Sequence, residues 1–239
     1  MKLKKLLSIV AVVSVLTFSF SVLAMAGAWV GPYGGVSFGT SGDVRVNAPF
    51  VSNTIYNTKI RTGFTTGLSV GYDFTNGSYG PTFPDWMKYF GVQMDVGYTQ
   101  TNFSAQTRSV SNIGNVGFAN VDGGNTALTF LAVGRYPLMI TPDFPNGRFS
   151  PYVAVGPTLR FSSYDFSNYG GSNSSATNVG LATEAGIRYL VTPNFSAALA
   201  YRFTYMPGST DVSLPGVGNA NFAGTQNTSQ VITRIAYHF

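Results

Sequence analysis

The sequence contains no cysteine and a single histidine, His238. Without thiols the chain can form neither disulfides nor thiolate-based sites. One histidine among scattered carboxylates does not provide the ligand set that holds zinc, and no Walker-type phosphate-binding loop is present. We therefore predict no catalytic, metal-binding or cofactor-binding residues.

Charged residues are scarce, at 10% of the chain, whereas soluble domains carry about 25%. Three of the basic residues, Lys2, Lys4 and Lys5, lie in the first five positions; the remaining 11 basic and 9 acidic residues leave a net charge of +2. This balance is too small for the basic stripe of a nucleic-acid-binding protein. With 44% hydrophobic and 15% aromatic residues, the composition indicates a surface that only partly faces water.

Long apolar runs are absent after the N-terminal segment. That segment has a positive start, an apolar run from Leu6 to about Leu23 and the small-residue pattern Ala24-Met25-Ala26, which is the order of a secretory signal peptide. We predict cleavage after residue 26. The alternative is a retained anchor, because the apolar run is close to spanning length.

The remainder of the chain alternates apolar residues with small or polar ones, as strands with two different faces do. Eight segments show the pattern, each about as long as the 9–11 residues of a bilayer-crossing strand: 29–38, 64–74, 90–98, 128–136, 153–161, 179–189, 195–205 and 231–239. The parity of 29–38 is ambiguous, and 128–136 is apolar on both faces, with Arg135 indicating the inward one. The predicted fold is all-β, a closed antiparallel up-and-down transmembrane barrel of about eight strands in one domain, residues 27–239.

A soluble β-sandwich also alternates, but its polar face would be rich in Lys, Glu, Thr and Gln. Here that face is mostly Gly, Ala and Ser, as expected of a narrow barrel interior. Aromatic residues also bracket the strands and predict two girdles, one per membrane interface. One girdle is Tyr72, Phe74, Phe90, Tyr136, Tyr189, Phe195, Tyr237 and Phe239; the other is Phe38, Phe64, Tyr98, Phe161, Phe203 and Tyr205.

The connections alternate in length. Segments 39–61, 104–125, 163–177 and 206–227 are long and rich in Ser, Asn, Gly and Thr, and we interpret them as outer loops. Segment 190–194 is a tight turn. The connections near 75–88 and 139–148 are longer but contain Pro, Gly and Asn, which favour turns.

Eight charged residues fall on the predicted inward faces, with Asp95, Glu184 and Arg234 near mid-depth. The set is Asp73, Asp95, Arg135, Arg160, Glu184, Arg188, Arg202 and Arg234. An eight-stranded barrel has an interior that side chains just fill, and a buried charge needs a partner. Two interpretations are open: a salt-bridged plug, or a narrow water-filled path that prefers anions because arginine is in excess. We expect Glu184 or Asp95 to pair with Arg234.

Three segments resemble the small bacterial outer-membrane β-barrels of the OmpA transmembrane-domain, OmpX and opacity-protein type. They are the C-terminal run 231–239, the segment 150–157 and the hairpin 186–195. The resemblance implies an outer-membrane location with both termini in the periplasm. It also implies that Ile235, Tyr237 and Phe239 form the C-terminal signal read by the barrel-assembly machinery. Its implied partners are outer-membrane lipid, that machinery and periplasmic chaperones, with no nucleic acid and with any extracellular ligand unknown.

The predicted function is a non-catalytic, structural or porin-like barrel that presents four outer loops. The alternatives are a narrow small-solute or ion channel, a surface adhesin acting through the loops, and a lipid A-modifying enzyme. The enzyme is disfavoured because His238 would point inward at the end of the barrel away from lipid A.

Overall fold

The computed structural model describes residues 27–39, 42–48, 51–58, 62–75, 83–103, 106–110, 114–118, 121–164, 174–214, 218–225 and 227–239. The predicted signal peptide, residues 1–26, lies outside this part of the chain. Within it, no helix has the length and apolarity needed to cross a membrane.

Eight strands close into an antiparallel barrel, which confirms the predicted fold class. In chain order they are β1 (Ala28–Gly39), β4 (Gly63–Asp73), β5 (Phe90–Phe103), β8 (Val121–Arg135), β9 (Phe149–Tyr164), β10 (Ser174–Thr192), β11 (Phe195–Tyr205) and β14 (Thr228–His238). Around the barrel the order is β1, β14, β11, β10, β9, β8, β5 and β4. The first and last strands therefore close the ring, with Val36 opposite Val231 and β1 also pairing with β4.

Side chains alternate between the interior and the outer wall of the barrel, as predicted from the sequence. In β4, for example, Thr65, Ser69 and Asp73 are buried in the interior while Phe64 and Leu68 are exposed on the outer wall. The structure also shows which residues face inward in the two segments, 29–38 and 128–136, that the sequence left unclear. In β1 the interior receives Trp29, Tyr33 and Ser37, and in β8 it receives Leu131, Val133 and Arg135.

The barrel has two different ends. We call the end that holds Ala28 and His238 the terminal end. It also holds the turn 193–194, the connection 136–148, and a connection containing a 3-10 helix, Asp85–Tyr89. The opposite end, the loop end, carries the remaining strands.

At the loop end, the segments interpreted as outer loops contain further strands, which we did not predict from the sequence. A four-stranded sheet has the order β12 (Pro207–Leu214), β13 (Gly218–Thr225), β2 (Gly42–Ala48) and β3 (Val51–Thr58), and a separate hairpin joins β6 (Gln106–Val110) to β7 (Gly114–Phe118). Several barrel strands also exceed their predicted length, and β10 reaches 19 residues. Ser, Thr and Asn are compatible with strands once a neighbouring strand is available, and that neighbour comes from a distant part of the sequence.

Candidate functional site

The barrel interior holds the candidate site, because its strands direct every second side chain inward. All eight charged residues predicted to face the lumen lie there, and each is at most 8% exposed. They divide into a middle cluster around Asp95 and Glu184, a terminal cluster around Asp73, and Arg160 nearer the loop end.

The middle cluster contains two carboxylates and two guanidinium groups. Arg202 forms ion pairs with both Asp95 and Glu184, and its Nε donates to Glu184 Oε2 at 2.8 Å. Arg234 lies 3.5 Å from Asp95 and 3.4 Å from Glu184, so it pairs with both carboxylates, where we expected one or the other. The two positive charges and the two negative charges of this cluster balance.

Neutral side chains complete this network. Tyr152 Oη donates to Glu184 Oε1 at 2.6 Å, Gln93 Nε2 donates to both Asp95 oxygens at 3.1 and 2.9 Å, and Arg234 Nε donates to Ser69 Oγ at 2.8 Å. Each carboxylate therefore has partners on several strands. Buried charges require this degree of pairing, because an unpaired charge in a low-dielectric interior is costly.

The pairing crosses the barrel. Asp95 is on β5 and Arg202 is on β11, and these strands stand opposite each other with three strands between them on either side. An ion pair between them spans the lumen at mid-height.

The terminal cluster repeats the arrangement nearer the chain ends. Asp73 Oδ2 accepts hydrogen bonds from Arg135 Nη1 and Arg188 Nη1, each at 2.7 Å. Asp73 on β4 and Arg188 on β10 again belong to opposite walls. Arg135 also donates from Nε to the carbonyl oxygen of Lys88 at 3.2 Å, which connects this cluster to the 3-10 helix outside the barrel.

Two aromatic residues that were not singled out from the sequence lie against arginines of the two clusters. The Arg188 guanidinium lies 4.9 Å from the centre of the Trp29 ring, and Arg202 lies 5.6 Å from that of Tyr33. Such cation–π contacts favour a buried guanidinium. No signal in the sequence places them, because both faces of β1 contain glycine and aromatic residues.

A small polar cavity lies on the loop-end side of the middle cluster. Its lining includes Tyr33, Thr65, Thr99, Thr158, Arg160, Arg202 and Gln230, and its volume is about 30 Å³. That is room for about two water molecules. Gln230 Nε2 donates across it to Thr99 Oγ1 at 3.1 Å, and Arg160 Nη2 donates to Thr228 Oγ1 at 3.3 Å.

The outer wall of the barrel is apolar, in contrast to this interior. Large hydrophobic residues are exposed along the strands, and aromatic residues stand near both ends, as in a barrel surrounded by lipid. Residues 10–239 match the family described as Outer membrane protein beta-barrel domain. The chain belongs to this family. It is an integral outer-membrane β-barrel.

Solved structures of other outer-membrane barrels resemble this one in fold. OprG of Pseudomonas aeruginosa is 15% identical, with a TM-score of 0.58, and the match covers 90% of this chain and 98% of OprG. Neisserial surface protein A is 18% identical, with a TM-score of 0.48 and coverage of 90% and 98%. A major outer membrane protein of Thermus thermophilus is 15% identical, with a TM-score of 0.48 and coverage of 89% and 99%. No curated protein matches the sequence.

The single histidine of this outer-membrane barrel lies at the terminal end. His238 Nε2 and Ser196 Oγ are 2.8 Å apart, and Ser196 is 2% exposed. In the described part of the chain, no three His, Asp or Glu residues are grouped so that they could hold a metal ion.

The predicted C-terminal signal residues stand on the outer wall. Ile235, Tyr237 and Phe239 are all exposed, and the Tyr237 ring packs against Phe195 and Phe239 with centroid distances of 5.1 and 4.9 Å. The Phe239 amide donates to the carbonyl oxygen of Ala28 at 3.0 Å. The last residue therefore helps to close the seam between the first and last strands.

Proposed function

We propose that this protein is a non-catalytic, closed outer-membrane barrel that serves as a scaffold for the structures at its loop end. The observation that carries the proposal is the pair of cross-lumen contacts, Arg202 with Asp95 and Arg188 with Asp73. Both contacts lie in one lumen, one above the other. An ion or solute would have to break two buried, multiply bonded charge pairs to pass.

The same geometry disfavours an enzyme. A serine nucleophile needs a base and access to substrate. Ser196 has a histidine within hydrogen-bond distance, but it is buried inside the terminal end of the barrel. The carboxylate of Asp73, the acid of the terminal cluster, is held by two arginines.

A narrow channel is the second candidate, and one observation favours it. Among the described residues, the lumen contains five arginines but three acidic residues, and a polar cavity lies on the loop-end side of the middle cluster. Water connecting that cavity to the terminal end would give a path that prefers anions.

Single-channel conductance in a planar bilayer distinguishes the two candidates. The closed barrel predicts a silent wild type and conductance steps for the double variant Arg188→Ala, Arg202→Ala, because these substitutions remove both contacts across the lumen. Arg148→Ala is the matched control, since Arg148 lies at the rim outside the lumen and should stay silent. If the folded wild type gives reproducible conductance steps that the double variant alters, the closed-barrel proposal is wrong and the protein is a narrow channel.

We further propose that residues 1–26 are removed during export and that both chain ends lie in the periplasm. Gly27 has a φ of +99°, and its carbonyl oxygen accepts a hydrogen bond from the Asp73 amide at 2.8 Å. The barrel thus begins directly after the predicted cleavage site. Intact-mass measurement of the protein extracted from outer membranes should give the mass of residues 27–239. The mass of the full chain would indicate a retained anchor.

In this proposal Ile235, Tyr237 and Phe239 act as the signal for the barrel-assembly machinery. Their support is the exposure of all three on the outer wall of the last strand. The partners implied by this role are the assembly machinery, periplasmic chaperones and membrane lipid.

A further inference from the structure

The two long connections of the terminal end lie side by side. One joins β4 to β5 and the other joins β8 to β9, and β5 and β8 are neighbours in the barrel. We call residues 83–89 and 136–148 the rim platform. Among the residues that the structure describes, the other half of the rim has the turn between β10 and β11 and the ends of β1 and β14. The platform is therefore confined to one half of the barrel circumference.

The rim platform holds large apolar side chains away from the protein. Trp86 is 61% exposed, Met139 is 66% exposed and Ile140 is 63% exposed. Met139 has a positive φ of 55°, a backbone conformation that residues with a side chain rarely adopt. Exposed apolar groups of this size on two adjoining connections indicate a non-aqueous neighbour.

Ring contacts fix the two halves of the platform to each other and to the barrel. Tyr89 and Tyr136 stack with centroids 6.1 Å apart and an interplanar angle of 11°. Trp86 packs edge-on against Phe90 at 5.8 Å. The Arg148 amide donates to the carbonyl oxygen of Met139 at 3.3 Å. The apolar groups are thus presented in one arrangement.

The two cations of the platform lie over two of its aromatic rings. Lys88 Nζ lies 5.4 Å from the centre of the Tyr89 ring, and Arg148 lies 5.0 Å from that of Phe144. Two exposed acids, Asp85 and Asp143, are on the same connections. These four groups sum to no net charge, so the platform matches a surface that carries both phosphates and ammonium groups.

We propose that the rim platform lies in the headgroup layer of a phospholipid leaflet. Trp86, Met139 and Ile140 reach the acyl-chain boundary, where amphipathic aromatic rings are favoured, and Lys88 and Arg148 contact headgroup phosphates. The occupant is zwitterionic phospholipid, because the platform has no net charge. The inference rests on the proposed orientation, which places the terminal end against the periplasmic leaflet.

Tryptophan quenching by brominated lipid tests the proposal. The chain has two tryptophans, and Trp29 is buried in the lumen, so the difference between wild type and Trp86→Phe isolates the Trp86 emission. In phosphatidylcholine vesicles we expect stronger quenching by lipid brominated near the headgroup than by lipid brominated near the bilayer centre. We also expect little quenching by aqueous iodide.

Lipid charge and the platform cations supply the second readout. Trp86 quenching should be the same in pure phosphatidylcholine and in mixtures with phosphatidylglycerol, and should fall in the double variant Lys88→Gln, Arg148→Gln.

Quenching by iodide without quenching by either lipid would overturn the proposal and point to a periplasmic protein as the partner. Quenching that appears only with phosphatidylglycerol would overturn the zwitterionic assignment. Neither result depends on whether the lumen conducts, so this test is independent of the conductance experiment.

Discussion

At the scale of single residues, the charged groups in the lumen each pair with more than one partner. Arg202 pairs with two carboxylates, and Asp73 pairs with two arginines. Replacing a whole buried pair with apolar groups is often neutral, whereas removing one member is costly. The ion pairs of the cluster therefore contribute little to net stability. Their larger effect is to fix which strands face each other across the lumen.

Glu184→Gln tests this sharing. The substitution keeps the size of the side chain but leaves Arg202 and Arg234 with Asp95 as their carboxylate partner in the cluster. We expect the free energy of unfolding to fall by about 3 kcal/mol, the typical cost of breaking a buried pair, measured by urea titration of the refolded protein. Asp143→Asn neutralises an exposed carboxylate and should change little. Equal free energies of unfolding for Glu184→Gln and Asp143→Asn would show that the ion pairs of Glu184 do not stabilise the barrel.

The inward positions of the charged residues could be predicted because each lies among Gly, Ala and Ser on an alternating strand, as Glu184 does between Ala182 and Gly186. Trp29 and Tyr33 could not be placed. Both faces of β1 contain glycine and aromatic residues, so neither face is distinctly apolar. Their position depends on the seam with β14, which is formed by residues about 200 positions away.

At the scale of the strands, two Gly-Pro pairs interrupt the ladder. Gly31 and Pro32 have no partner residues in β14, and Gly156 and Pro157 have none in β8, although each proline is paired on its other side. Proline lacks the N–H that the ladder needs. The two interruptions lie on opposite sides of the barrel.

The glycine before each proline admits a close approach of the neighbouring strand. A Cβ at Gly31 would overlap the carbonyl oxygen of Ile235, and one at Gly156 would overlap that of Phe130. We expect Gly31→Ala and Gly156→Ala to lower the free energy of unfolding by about 1–3 kcal/mol, the range for overpacking. Gly34→Ala is the matched control in the same strand, since its Cβ would meet nothing nearer than 3.8 Å. Unfolding of Gly31→Ala and Gly34→Ala at the same urea concentration would show that the close approach at Gly31 does not limit the side chain there.

The barrel strands could be predicted because lipid imposes a strict period of two on each of them. The loop-end sheet could not. Its strands Gly42–Ala48 and Gly218–Thr225 pair with each other, and lie outside the bilayer pattern. Pairing of this kind depends on which connections the barrel brings together, and short polar segments carry no local sign of it.

At the scale of the whole molecule, the closed ring explains that sheet. The first and last strands of the barrel are neighbours, so the connection that follows β1 and the one that precedes β14 leave the loop end side by side. Four strands from these two connections then form one sheet in the order β12, β13, β2 and β3. The scaffold thereby joins the beginning and the end of the mature chain into one surface.

Because the chain has no cysteine, this junction can be tested by introducing pairs. Val46 is the register partner of Phe222 across β2 and β13, so the double variant Val46→Cys, Phe222→Cys should form a disulfide, which requires Cα atoms about 4.4–6.8 Å apart.

Thr54 is the partner of Val46 in β3 and lies two strands from Phe222, about 9.5 Å away. The control Thr54→Cys, Phe222→Cys should therefore stay reduced under the same mild oxidation. Mass and thiol labelling of whole cells give the result. Cross-linking of both pairs would indicate connections that sample each other freely, and cross-linking of Val46 with Phe222 alone would establish the paired sheet as the surface presented outside the membrane.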